Sequence, residues 1–149
     1  MRALLEIATT VCIGLLIGTE FAVSAFINPV LRKLDDAAQA SAIRLFAQRL
    51  GFAMPFWYGA SLLLLVLNTI FRRHEPGFSL LGAASAIWAV VILLTILVLV
   101  PINNRMARLS PESFLAEQQR EHAKWDNLHR FRVAALAAAM CCFLLAVQL

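Results

Sequence analysis

The sequence predicts an all-α integral membrane protein: a bundle of four transmembrane helices, with an amphipathic cytoplasmic helix leading into the last span. Three observations carry this. The 149 residues are 61% hydrophobic and only 15% charged, whereas a soluble domain is about half apolar and a quarter charged. Four apolar runs reach or approach the roughly 20 helical residues that a bilayer core requires. Inside hydrocarbon, each backbone N–H and C=O needs a partner within its own segment, which for runs of this kind means helix.

The elements follow in order. Span one is expected at about Ile7 to Ile27. Arg2, the short apolar stretch after it and the small residues of 22-AVSA-25 imitate a signal peptide, but Glu6 and Glu20 interrupt the stretch and it is expected to stay as a span. The glycines of 14-GLLIG-18 predict close packing of a neighbouring helix. In the polar segment 28–49, Asp35 or Asp36 can cap a helix with a stripe of Ala38, Ile43, Leu45, Phe46 and Leu50. That helix is expected to lie at the interface or to lead into span two, Leu50 to Ile70, where Pro55 frees a carbonyl and can bend the chain. The outer loop 71-FRRHEPGF-78 turns at Pro76 and Gly77 and leaves His74 solvated. Span three, Leu80 to Val100, is expected to end at Pro101. The polar segment 101–130 opens a helix with Ser110 as N-cap and Pro111 at its first position. Nothing after Pro111 breaks it before the end of span four, Phe131 to Leu149. Residues 1–149 form a single domain without internal repeats.

Lys and Arg set the orientation, because cytoplasmic loops retain them. Arg32, Lys33, Arg44 and Arg49 follow span one, and Arg105, Arg108, Arg120, Lys124, Arg130 and Arg132 follow span three, against Arg2, Arg72 and Arg73 on the other side. Segments 28–49 and 101–130 are therefore expected in the cytoplasm and both termini outside, as a multi-pass protein of a bacterial-type inner membrane. The net charge of +4 reads as anchoring to an anionic leaflet. Nucleic-acid binding is excluded as a function class, since the basic residues hug the spans and form no basic domain. Cys12, Cys141 and Cys142 all fall inside spans and read as inert buried thiols.

Two groups of polar residues stand out. At about 100° per residue, His122, Asp126 and His129 lie within about 60° of one another on the fourth helix, with Trp125 and Arg132 beside them. Such a set is a weak candidate for a metal. Glu20 is the other outlier. A charge at the bilayer centre costs roughly 2.5–3.5 kcal/mol or more, so it should face the bundle interior beside a partner such as Arg132, Arg105 or an imidazole. Glu6 reads as an interfacial carboxylate. Aromatics gather in the cytoplasmic half, among them Phe46, Phe52, Trp57, Tyr58 and Trp125, whereas an ordinary belt decorates both membrane faces. That skew predicts a flat apolar pocket near Glu20, the asparagines and His129, with Trp57 and Tyr58 of 54-MPFWYG-59 in its wall.

The proline-ended third span with 101-PINNR-105, then 125-WDNLHRFR-132 before the last apolar helix, and 28-NPVL-31 after span one together carry a resemblance. The chain resembles, over nearly its whole length, the anthrone-oxygenase-like family of small four-span membrane proteins. Members with known activity oxidise anthrones to anthraquinones with molecular oxygen. The resemblance points at Asn103, Asn104, Trp125, His129 and Arg132, while Glu20 and His122 rest on the reading of the residues alone.

The expected function is a membrane oxygenase for a lipophilic aromatic, with His129 as general base removing an acidic benzylic proton. Asn103, Asn104 or Arg132 would stabilise the resulting oxyanion. A carbanion of this kind can react directly with oxygen, so no cofactor is strictly required. Two other classes fit parts of the chain. Small multidrug transporters also have four spans and one glutamate in the first, matching Glu20, though their loops are short. A structural subunit of a larger membrane assembly is the third reading. The partners implied are the bilayer, a lipophilic aromatic molecule, and a second copy or a membrane complex.

Overall fold

The computed structural model describes residues 2–106 and 116–149, with the side chains of 116–119, 121 and 122 outside that description. Four long helices make up the described chain: α1 (Arg2–Leu31), α2 (Asp36–Phe71), α3 (Phe78–Met106) and α4 (Ala116–Gln148). The first three and the 123–148 part of α4 are each long and apolar enough to cross a bilayer. At 1.5 Å per residue the 30 residues of α1 extend about 45 Å, well past a hydrocarbon core of roughly 30 Å.

The helices form a ring. Each packs on its two neighbours, α1 on α2 and α4, and α3 on α2 and α4, so that α1 and α3 face one another across the bundle. Its core is built from Ile13, Leu16, Leu65, Leu81, Trp88 and Phe143, all fully buried. Outward-facing Leu4, Ile7, Leu63, Leu93, Leu97 and Leu145 are exposed, as lipid contact requires and as water would penalise.

The α1–α2 connection is short. Asp35 caps α2 by accepting the Ala38 N–H at 2.9 Å. From there α2 runs through Pro55 to Phe71 as one helix, so the amphipathic stretch leads directly into span two. Gly77 brings the start of α3 against the end of α4: a Cβ there would stand 2.4 Å from the Ala146 carbonyl oxygen. In contrast, a Cβ at Gly14 would stand 3.6 Å from the Met140 side chain of α4, an ordinary contact, and one at Gly18 would meet nothing within 4 Å. Of the two glycines of 14-GLLIG-18, only Gly14 therefore has a neighbouring helix packed on it.

Pro101 does not end the third helix, which continues to Met106. A proline has no N–H and its ring crowds the carbonyl four residues back. Here that carbonyl belongs to a π-helical segment, Thr95–Leu99, closed by Val100 N–H donating to Thr95 O. The wider turn makes room for the ring and the helix passes it. Pro29 is accommodated in the same way by Val23–Ile27, where Asn28 N–H donates to Val23 O. The cap expected at Ser110 and Pro111 lies outside the described residues.

Candidate active site

The π-helical segments of α1 and α3 lie at the same end of the bundle, beside the entry of α4, and the polar side chains converge there. Glu20 is 3% exposed. Its Oε1 accepts the Tyr58 hydroxyl at 2.8 Å and its Oε2 accepts from Arg132 Nη2 at 2.6 Å. The Arg132 guanidinium also lies over the Tyr58 ring, 5.6 Å from its centroid. Three helices thus meet on one carboxylate, which removes the penalty of an unpaired buried charge.

His129 completes the cluster, and its partners decide its protonation. Its Nε2 is 3.0 Å from the Glu20 backbone carbonyl, and its Nδ1 is 2.8 Å from Arg132 Nη2. A carbonyl only accepts and a guanidinium only donates, so Nε2 carries the hydrogen and Nδ1 the lone pair. Arg132 Nη2 has two hydrogens, one for His129 and one for Glu20. That bridge explains how His129 Nδ1 and Glu20 Oε2 can stand 3.2 Å apart. The imidazole is neutral and both its nitrogens are committed within the protein. Trp125 stacks on it, with centroids 4.7 Å apart and an interplanar angle of 12°.

One turn away, fully buried Asp126 accepts from Asn28 Nδ2 at 2.7 Å, from Arg130 at 3.2 Å and from Arg32. Asp126 therefore ties the end of α1 to α4. Among the described residues no three of His, Cys, Asp and Glu come together as a ligand set. The His122 side chain lies outside the described residues.

Glu20, Tyr58, His129, Arg132 and Trp125 line a cavity of about 240 Å3, whose other walls are mostly apolar. A single water needs only about 10–15 Å3 in this measure, so the space suits an organic ligand. Asn103 also lines it and donates to Ala47 O at 3.2 Å. The other expected residues are placed elsewhere. Asn104 is exposed and is not among the cavity residues, and Trp57 turns away to donate its indole N–H to Cys12 O at 3.0 Å.

At the opposite end, Arg72 is 2% exposed, where the sequence reading made it an outer-loop cation. It pairs with Glu75 at 2.7 Å and Glu6 at 3.5 Å, and Arg2 holds the same two carboxylates. Glu6 is thus an ion-pair partner. The signal was available in the carboxylate itself, since an acid near a span end calls for a nearby cation. His74 is exposed, as expected.

Fold and site together define a multi-pass membrane protein with a buried carboxylate, guanidinium and imidazole at one wall of an apolar cavity. The family model for anthrone oxygenase matches residues 43–142, well over half of the chain, and the chain belongs to that family. Tyr58, Asn103, Trp125, His129 and Arg132 lie within the matched region, while Glu20 precedes it. At the level of the family this points to oxygenase chemistry. No curated protein and no solved structure matches the chain.

Proposed function

We propose that the protein is a membrane oxygenase for a flat, lipophilic aromatic ketone of the anthrone kind, and that Glu20 is the group that takes the substrate's proton. The observation that carries this is a buried carboxylate lining an apolar cavity, held by Tyr58 and Arg132. His129 was the base expected from the sequence. What favours Glu20 is that both imidazole nitrogens already serve protein partners, whereas a carboxylate has about four lone-pair sites and keeps acceptor capacity for a substrate hydrogen. His129 then acts as a positioning residue that holds Arg132 and the α1 backbone in place.

In this reading Glu20 removes one hydrogen of the methylene opposite the ketone, and the electron pair delocalises onto the ketone oxygen. The carbanion carbon bonds to molecular oxygen and gives up the pair to it. Protonation yields a hydroperoxide, and loss of water leaves the second carbonyl of the quinone. One anthrone and one oxygen give one anthraquinone and one water. Trp125 supplies a flat wall, and the Asn103 amide, which has a second N–H beyond the one given to Ala47, can face a substrate oxygen.

The test is oxygen uptake by vesicles containing the purified protein and anthrone, corrected for spontaneous oxidation in empty vesicles. The reading expects uptake above that background with one quinone per oxygen, and uptake equal to the background overturns it. We further infer that the cavity end is cytoplasmic in a bacterial-type inner membrane. Single cysteines at Lys33 and His74, both exposed, in a chain lacking the native three, should label from opposite sides, with Lys33 inside.

A further inference from the structure

We infer that Thr95 is a ligand-binding residue, whose hydroxyl anchors an oxygen of a membrane-borne aromatic on the wall opposite Glu20. The chain has five threonines, all in helices. Thr9, Thr10, Thr19 and Thr69 each donate to the carbonyl four residues back, at 2.7–2.9 Å. That is the ordinary way for a hydroxyl to be satisfied in a helix surrounded by lipid. Thr95 departs from it: its Oγ1 is buried and has no hydrogen-bond partner. An unmet hydroxyl in such a place costs on the order of 1–3 kcal/mol, and a site that pairs it with a ligand recovers that cost.

Its position says which ligand. Thr95 lines the same cavity as Glu20, and it opens the π-helical segment of α3. Helices α1 and α3 face each other across the ring, and Glu20 and Thr95 lie at matching distances from the ends of their helices, Leu31 and Met106. A carboxylate and a hydroxyl on opposite walls suit a rigid molecule with its acidic C–H at one end and its oxygen at the other. The anthrone reading of the preceding section supplies such a molecule, and the inference rests on it for the identity of the ligand.

The way in points to lipid. Every exposed residue of the cavity lining belongs to α2 or α3, among them Gly51, Pro55, Gly59, Ile96 and Val100. The α1 and α4 linings are buried or half-buried. Gly51, Pro55 and Gly59 recur every four residues on one face of α2, and a Cβ at Gly59 would meet nothing within 4 Å. The cavity thus opens sideways between α2 and α3, beside Thr95 and within apolar spans, and a ligand already dissolved in the bilayer reaches it without crossing water.

The test compares Thr95→Val, which keeps the shape and loses the hydroxyl, with Thr95→Ser, which keeps the hydroxyl. Two probes are titrated into vesicles containing each protein: anthraquinone, which carries oxygens, and anthracene, which carries none. Quenching of tryptophan fluorescence reads binding, since Trp125 lines the cavity. The inference expects Thr95→Val to bind anthraquinone about three- to tenfold more weakly, the worth of one neutral hydrogen bond, with anthracene affinity unchanged and Thr95→Ser close to wild type. Since the hydroxyl has no partner to lose, Thr95→Val should be at least as heat-stable as the parent. Wild-type affinity for anthraquinone in Thr95→Val, equal losses for both probes, or no binding of either probe by the parent overturns it. A parent that discriminates the probes through Thr95 but oxidises no anthrone keeps the binding site and retires the oxygenase.

Discussion

Replacing Glu20 with glutamine or alanine separates what its shape does from what its charge does. Three groups face the carboxylate: the Tyr58 hydroxyl at 2.8 Å, Arg132 Nη2 at 2.6 Å and His129 Nδ1 at 3.2 Å. A glutamine can point its carbonyl at Arg132 and its amide at Tyr58, whose hydroxyl turns to accept. Both hydrogen bonds survive and only the ionic part at Arg132 is lost. Removing one partner of a buried pair costs about 3–5 kcal/mol when nothing replaces it. Two conserved hydrogen bonds and the slight exposure of Arg132, 11%, reduce that to about 1–2 kcal/mol for Glu20→Gln. Glu20→Ala leaves the Tyr58 hydroxyl without its acceptor and the Arg132 charge without its carboxylate, and should approach the full cost of about 3–5 kcal/mol. Thermal unfolding of the detergent-solubilised variants reads the difference, with Glu20→Ala melting well below Glu20→Gln. Equal melting temperatures for the two would refute the network as the account describes it.

Gly77→Ala should destabilise by about 1–3 kcal/mol, the usual cost of overpacking, because the new Cβ collides with backbone at Ala146 that cannot swing aside. Gly59→Ala, with open space around it, is the matched control in the same melting assay. At the end of the bundle away from the cavity, the hydrogen bond from Arg72 holds Glu75 below the usual carboxylate range; partial burial opposes this and the Arg2 charge adds to it. A depressed carboxylate contributes stability that is present above its unfolded value of about 4.5 and is lost as pH falls through its folded value. The melting temperature of the parent should therefore drop as the medium is acidified below that value, and Glu75→Gln should flatten the drop.

Much of the fold is legible because hydropathy reports composition along a helix. The four spans follow from it. The sequence narrows the α2 cap to Asp35 or Asp36 and the amphipathic stretch to an interfacial helix or the start of span two, and the structure selects Asp35 and the continuous helix. The partner for Glu20 was legible too, since a buried charge in a span demands one and Arg132 lies at the same end. What hydropathy does not report is azimuth. A π-helical segment inserts a residue and rotates everything after it by about 100°. No helical wheel drawn on span three could then tell that Asn103 faces the cavity and Asn104 the outside. The same segment carries the helix past Pro101, a residue that reads as a stop in any linear scan. Trp57 and Tyr58 are adjacent and equally aromatic, and only the packing of α2 against α1 sends one to Cys12 and the other to Glu20. Gly77 reads as a turn glycine because its constraint comes from the far end of α4.

The central claim is that this carboxylate, and not the imidazole beside it, takes the substrate's proton. It is tested most directly by anthrone-dependent oxygen uptake measured side by side for the parent, Glu20→Gln and His129→Gln in the same vesicles. General-base catalysis contributes about 10²–10⁴-fold, so Glu20→Gln should fall at least about a hundredfold. His129→Gln, whose amide can still accept from Arg132 and donate to the Glu20 carbonyl, should keep a measurable rate about tenfold below the parent. The reverse order, with Glu20→Gln active and His129→Gln silent, would contradict the account and return the base to the histidine.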